Sequence, residues 1–540
     1  MRIFFFILFF VPVISFAQKK DYKNFDKAVR YNVDGNIKKA IKYANKALEG
    51  YPEWRKPNLL LAYIYANNNQ IELAANYLLK VYDEDNVNDL RGIEHLTKLY
   101  YSNGFYNEAL YYSEKLLEHA AAGVKVNSNI DRYLANSKFA IRAIENPVDF
   151  IPSNLKTKVN SSFAEFVNTL SIDGEKLFLT RRIEYADRDP QEDLFCFNFI
   201  DSTLITLSFN TNLNEGAITI SPDGMMCVYT ACDRLNSIGG CDLFIREYIA
   251  DNGWSPEYNL GVNVNSDKWE TQASFSPDGR YLYFISNRAG GVGQDDIWRS
   301  EITSKGFMKA ENIGEPINTK YNEMSPFLHP DNLTLYFASN GHIGMGDYDI
   351  YVARRLGISE GWQLPKNIGY PINTYNTENS LVVDHDGKTA YFSSNKSGFG
   401  LEDIFVFDLP ESMQAHKVSE IELEIISQAV GAEIVLKDVT FPSNSYKIDY
   451  SSYTQLDQLI AFLKKQPDIE LEIQGHTDDI GSEHENLILS NERARVVYDY
   501  LFKNIDNKLS YRGYGESRPL LPNDSDSSRD LNRRTSFVIQ

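Results

Sequence analysis

Three patterns of apolar and polar residues succeed one another along this chain of 540 residues. From about residue 20 to 145, apolar residues recur at the helical spacing of three and four. Gly35, Asn69 and Gly104 each stand five residues before a small residue, Ala40, Ala74 and Ala109, and successive copies lie 34 and 35 residues apart. Small residues at such places let two antiparallel helices approach closely. Leu59-Leu60-Leu61-Ala62-Tyr63 and Leu96-x-x-Leu99-Tyr100 would fill the remaining gaps. The period predicts about three helical hairpins, capped by a further helix over 129–145.

From about 150 to 410 the period becomes that of strands and turns. Five times a glutamate leads through an apolar strand into a tight turn: Glu165 to Gly174, Glu215 to Gly224, Glu270 to Gly279, Glu323 to Asn332 and Glu378 to Gly387. Proline sets the first dihedral of the middle three turns, and Gly or Asn accepts the positive one. An aromatic strand follows, such as Tyr281-Leu282-Tyr283-Phe284, and then a Gly-rich loop ending on Asp193, Asp242, Asp296, Asp349 or Asp403. A turn period of 50–55 residues fits one four-stranded blade, so five copies predict a β-propeller. The flanks 146–164 and 410–430 are the material for a sixth blade, but the repeats favour five. An aspartate that recurs in every blade points to hydrogen bonding within the blade rather than to a metal or catalysis.

The first region resembles tetratricopeptide repeats. The second resembles the WD-type blades, or PD repeats, of bacterial envelope proteins such as the TolB family. Both resemblances imply surfaces for peptides or partner proteins. The four cysteines fall in the first two blades. Cys232 occupies the column of Asn287, Asn340 and Asn395, and Cys241 that of Glu192, Asp295 and Glu402. One column ends a strand and the other begins its neighbour, so Cys232 and Cys241 are expected to face each other as a hairpin disulfide. Cys196 and Cys227 lie in apolar strands and are expected as buried thiols.

The third pattern, a mixed α/β one, occupies 432–540, after a linker over 411–431. An apolar run from Ile469 to Ile473 leads into Gly475-His476-Thr477-Asp478, and a helix over 485–503 carries Asn486-x-x-Leu489-Ser490-x-x-Arg493-Ala494. A strand–loop–helix unit of this kind can set a carboxylate and a guanidinium side by side, which suits a ligand bearing both an ammonium and a carboxylate. Taken alone, an Asp and an Arg fifteen residues apart are more often a structural ion pair.

These words, with Phe441, Gly513-Tyr514-Gly515-Glu516-Ser517-x-Pro519 and Asn532-Arg533-Arg534, resemble the OmpA-like domain, a peptidoglycan-binding module. The resemblance implies that Asp478 binds the amino group and Arg493 the carboxylate of a meso-diaminopimelate side chain. It implies further ligand contacts from Asn486 and Arg533, packing by Phe441 and Leu489, and helix support by Ser490. Pro442-Ser443-Asn444-Ser445-Tyr446 departs from the Asp-containing first loop common in that family.

Arg2, the apolar run Ile3 to Ile14 and Ser15-Phe16-Ala17 read as a cleavable secretory signal over 1–17. No cysteine follows Ala17 to carry a lipid, and no later segment is apolar enough to span a bilayer. A periplasmic protein is expected, associated with peptidoglycan and the outer membrane. A formal charge of −20 argues against nucleic acid. His476, Asp478, His484 and Glu485 match no zinc spacing, and no nucleophile elbow, phosphate loop or metalloprotease motif is present. No metal, cofactor or catalytic residue is therefore expected. The domain order resembles that of PorE-type accessory proteins of the type IX secretion system, which usually carry a lipoprotein cysteine and an extra small β-domain that this chain lacks. The reading is a non-enzymatic envelope scaffold that holds the wall and binds envelope or outer-membrane proteins. A general outer-membrane integrity factor and a peptidoglycan hydrolase are its rivals.

Overall fold

The turn inside each of three successive helix pairs is left-handed: Gly35, Asn69 and Gly104 have φ of 71°, 59° and 79°. That conformation suits glycine and, among the others, asparagine. Ala40, Ala74 and Ala109, five residues on, are fully buried where the helices of each pair meet. The computed structural model describes residues 18–540 apart from 82–89, 122–128, 186–188, 250–252, 359, 396–399, 427–430, 443–444, 450–451 and 468. The signal expected over 1–17 lies outside the described residues.

The chain forms two compact units. The first runs to Pro147 and also includes Ile343–Asp347 and Gly369–Thr377. Its helices are Gln18–Val33, Ile37–Leu48, Arg55–Asn67, Ile71–Leu79, Arg91–Tyr101, Tyr106–Ala121 and Ile130–Glu145. The stacked ring pairs Tyr31–Tyr43, Tyr65–Tyr77 and Tyr100–Tyr112 recur with the same period. Within this unit Met345 is buried beside Tyr101, Tyr106, Ala109 and Ala140. The hydroxyls of Tyr101 and Tyr106 donate to the carbonyls of Gly346 and Met345.

The second unit opens with five antiparallel sheets of four or five strands. Their first strands are Ala164–Leu170, Glu215–Ile220, Glu270–Phe275, Glu323–Leu328 and Leu381–Val383. These strands contact one another in a closed cycle, the fifth against the first. Ser153–Asn154 completes the fifth sheet by pairing with Val406 and Phe405. Residues 411–413 and 420–426 are helical. Among the described residues, neither flank therefore adds a sixth sheet.

The recurring residues hold this cycle together. Glu165, Glu215, Glu270, Glu323 and Glu378 are fully buried. The first four accept from the backbone N–H and hydroxyl of Ser161, Thr211, Ser266 and Thr319. Asp242, Asp296 and Asp403 accept from loop N–H groups three or four residues upstream. A column of asparagines forms paired hydrogen bonds of 2.8–3.1 Å to the backbone of one strand residue each: Asn210 to Leu194, Asn265 to Leu243, Asn318 to Ile297 and Asn160 to Ile404. The last pair joins residues 244 apart and ties the start of the cycle to its end. Cys232 and Cys241 are bonded, with Cα atoms 4.1 Å apart across paired strands. Cys196 and Cys227 are buried thiols, and burial pushes them up to about 11 and about 12.

The C-terminal sheet has the spatial order Glu433–Val435, Thr535–Ile539, Leu471–Gly475, Leu509–Gly513. Its last two strands run parallel and are joined through the helix Glu483–Phe502. The expected linker over 411–431 needs correction, because it contains the helix Glu420–Ile426. Ile421 and Ile425, one turn apart, enter the same core as Leu459, Leu463, Ile473, Val497 and Phe537. Glu422 on that helix pairs with Lys465. The hydrophobic return of burying two isoleucines makes this stretch part of the domain rather than a bare tether.

Candidate functional site

The site lies at the carboxyl ends of the two parallel strands, where open α/β sheets characteristically present their ligand crevice. Two glycines set its geometry. A Cβ on Gly475 would lie 2.0 Å from the Ser490 carbonyl oxygen, and one on Gly513 would lie 2.3 Å from the Asn491 nitrogen. The helix Glu483–Phe502 therefore presses on both strands at Ser490–Asn491, a contact open only to glycine. Ser490 is fully buried there; its hydroxyl accepts from the Gly515 N–H and donates to the Leu487 carbonyl. The helix begins at a capping box, in which Ser482 accepts from the Glu485 N–H and Glu485 reaches back to the Ser482 N–H.

This frame brings Asp478, Asn486, Arg493 and Arg533 together. The carboxylate of Asp478 is nearly buried, accepts from the Ile480 N–H at 3.1 Å and pairs with the guanidinium of Arg533. Arg533 also pairs with Asp530. Asn486 is buried; its amide donates to the Asp478 carbonyl at 3.2 Å and to the Glu516 carboxylate at 2.6 Å. Arg493 is only 6% exposed, yet it forms no ion pair among the described residues. Its Nε donates to the Ser445 carbonyl at 3.0 Å, and its guanidinium lies over the Phe441 ring, 5.1 Å from the centroid. Burial, reinforced by the charge of Arg533, holds Arg493 below its usual pKa, and Asp478 opposes that shift.

Asp478 and Arg493 do not form an ion pair with each other. Asp478 answers Arg533 rather than Arg493, and the buried Arg493 keeps both terminal nitrogens free of carboxylate among the described residues. Phe441 serves as the floor beneath Arg493 and also packs on the core. Leu489 is half-buried. Ser443 and Asn444 of the divergent first loop lie outside the described residues. Glu516 stands in a quoted motif but carries no role in the sequence reading. Its part in the network depends on Asn486, thirty residues away, and no spacing rule signals it.

Of the four residues that match no zinc spacing, Asp478, His476 and Glu485 have other tasks, Asp478 in its pair with Arg533. His476 is fully buried, stacks on Tyr514 with centroids 5.5 Å apart, and is pulled below the usual histidine range by burial and then by the charge of Arg534. Glu485 belongs to the helix cap. Among the described residues no group of three metal-ligating side chains occurs, and no helix is long and apolar enough to cross a membrane.

Residues 440–533 match the OmpA family. The chain is similar to an outer membrane porin F of Pseudomonas aeruginosa, 33% identical over 106 residues that make up 19% of this chain and 30% of the porin. It is also similar to a peptidoglycan-binding protein, ArfA, of Mycobacterium tuberculosis, 31% identical over 19% of this chain and 32% of that protein. The chain thus spans about a third of the length of these relatives. A solved peptidoglycan-associated lipoprotein from Burkholderia pseudomallei is 27% identical over 20% of this chain and 89% of its own, with a TM-score of 0.18.

Proposed function

We propose that the protein is a non-enzymatic anchor that grips peptidoglycan through its C-terminal domain and engages envelope proteins through the rest of the chain. The observation that carries this reading is the buried Arg493 with no carboxylate of its own among the described residues. A desolvated guanidinium without a counter-ion is costly, and a ligand carboxylate would complete it through a bidentate contact. Asp478 lies close enough to influence Arg493 electrostatically, and would exchange part of its bond to Arg533 for a ligand ammonium. A carboxylate and an ammonium on one carbon describe the free end of the diaminopimelate side chain. The similarity to a protein named for peptidoglycan binding supports the same assignment.

The five sheets in a closed cycle, sealed by Ser153–Asn154 in the fifth, support a five-bladed β-propeller of WD type. The helical pairs with left-handed turns at 34- and 35-residue spacing support tetratricopeptide repeats. Both are surfaces for proteins, and a role as a type IX secretion accessory belongs to this reading. The periplasm is the compartment it requires.

The test is sedimentation of the full chain with purified diaminopimelate-type peptidoglycan. Arg493→Ala and Asp478→Ala are each expected to weaken binding at least about thirtyfold, from the loss of about 2–5 kcal/mol typical when one partner of a buried charge pair is removed. Arg493→Lys fails to rescue, because an ammonium lacks the planar fork. Lys464→Ala binds normally. Site variants that still pelleted with the wall would refute the proposal.

A further inference from the structure

A cavity of about 200 Å³ is lined by residues from all five sheets of the second unit. The strands that form it are irregular at matching places. Their register slips between Val167 and Thr169, Gly216 and Thr219, Thr271 and Ser274, and Met324 and Phe327. Ala217, Gln272 and Ser325, all lining the cavity, have left-handed φ of 50°, 51° and 48°. Side chains other than glycine resist that conformation, and bulges of this kind re-aim side chains next to functional sites.

Glu192 is the one ionisable residue among those lining the cavity. Its carboxylate forms no hydrogen bond or ion pair among the described residues, and it sits against Gly216, where a Cβ would meet it at 3.0 Å. Burial raises its pKa, and the charge of Arg182, opposite it on the paired strand and ion-paired with Glu184, opposes that shift from outside the cavity lining. Around it are amides with their orientation already set. The Asn168 oxygen accepts from the Thr180 hydroxyl at 2.8 Å, and the Gln272 oxygen accepts from the Ser325 N–H at 2.9 Å. Both leave an NH2 group unused among the described residues. Asn379, from the approach to the fifth sheet, lines the cavity with no side-chain hydrogen bond of its own among them.

One carboxylate needs a cation, and surplus amide donors need oxygen acceptors. Among the described residues no Lys, Arg or His lines the cavity, so a carboxylate on the ligand would lack a counter-charge there. We infer that this cavity binds a small molecule carrying one primary ammonium among neutral hydroxyls, the chemistry of a free amino sugar of a single ring. The ammonium meets Glu192, and ring hydroxyls accept from Asn168, Gln272 and Asn379. This site is separate from the wall-binding residues and stands without them.

The experiment is ligand-observed NMR titration of the full chain with glucosamine, N-acetylglucosamine, glucose and glycinamide. Glucosamine is expected to bind at least tenfold more tightly than the two neutral sugars. Glu192→Gln, which keeps the shape and removes the charge, is expected to erase that preference. Asn379→Ala is expected to weaken glucosamine severalfold with no change in melting temperature. Equal binding of N-acetylglucosamine, no binding of glucosamine, or an unchanged preference in Glu192→Gln would overturn the site. Glycinamide bound as tightly as glucosamine would overturn the sugar assignment.

Discussion

Arg288 in the third sheet and Arg493 in the C-terminal domain start from the same physical position and end in different roles. Each guanidinium is largely buried, and each lies 5.1 Å from an aromatic centroid, Phe284 for one and Phe441 for the other. Burial lowers the pKa of both. Arg288 is also paired with Glu270 at 3.0 Å and donates to Ser286 and to the Val264 carbonyl. Arg493 has one carbonyl, that of Ser445, and no carboxylate among the described residues. A fold that needs an arginine for itself surrounds it with acceptors. Under the proposed function Arg493 is offered to a ligand, so its terminal nitrogens are left unspent, and the same burial that makes this costly would make the ligand contact strong.

Exchanging the two truncations is the sharpest way to break this comparison. Arg493→Ala should lose the wall at least about thirtyfold while melting no earlier than the parent, since it removes an uncompensated buried charge. Arg288→Ala should do the reverse, binding the wall normally while losing about 3 kcal/mol of stability, because Glu270 is left buried without its cation. Thermal melts and sedimentation on the same preparations decide it. A common phenotype for the two variants would mean that burial alone, and not the missing carboxylate, sets the role.

The fourth sheet carries what Arg288→Ala would create. Glu323 is as buried as Glu270 and accepts from Thr319 and Ser339, but Gly341 stands where Arg288 stands in the third sheet. A Cβ on Gly341 would lie 1.8 Å from the Thr319 hydroxyl, so the sheet has no room for the arginine. Burial therefore pushes Glu323 from 4.5 to about 7. Between those values the folded protein holds a proton that the unfolded chain releases. The stabilisation from that proton is complete below the unfolded pKa and is lost as pH rises through about 7, a swing on the order of 3 kcal/mol. Unfolding followed by urea from pH 5 to 8 should show stability falling, and Glu323→Gln should flatten the slope. A slope unchanged by that substitution would place the titration elsewhere.

Much of this was legible in the chain because the signals are local. A left-handed turn requires Gly35, Asn69 or Gly104 whatever surrounds it, and Gly475 and Gly513 stand inside words that can be read in order. The turn words likewise mark the five sheets, since proline and glycine act on their own dihedrals. What escaped depends on distant partners. Asn160, Asn210, Asn265 and Asn318 are invisible among many loop asparagines until each meets the backbone of a remote strand. The Asp478–Arg533 pair spans 55 residues and follows from the fold alone. Ile421 and Ile425 offer one helical turn of apolar residues, too short a pattern to outweigh a linker reading.

The smallest expected effect concerns the second and third sheets, which share a column but not a chemistry. Cys232 and Cys241 face each other across paired strands and are bonded, with a sequence separation of nine. In the third sheet the equivalent edge holds Asn287 and Asp295 and no covalent link. A short closed loop restricts the unfolded chain little, so the bond contributes about 2 kcal/mol. The six-residue strand pairing beside it, Met226 to Ala231 against Asp242 to Glu247, holds the hairpin without it. Mass mapping of an unreduced digest should find the 232–241 pair, and reduction should lower the melting temperature by a few degrees while wall sedimentation stays unchanged. Collapse of the second unit on reduction would show that the second sheet depends on its disulfide in a way the third does not. Free thiols at both positions would remove the distinction between the two sheets altogether.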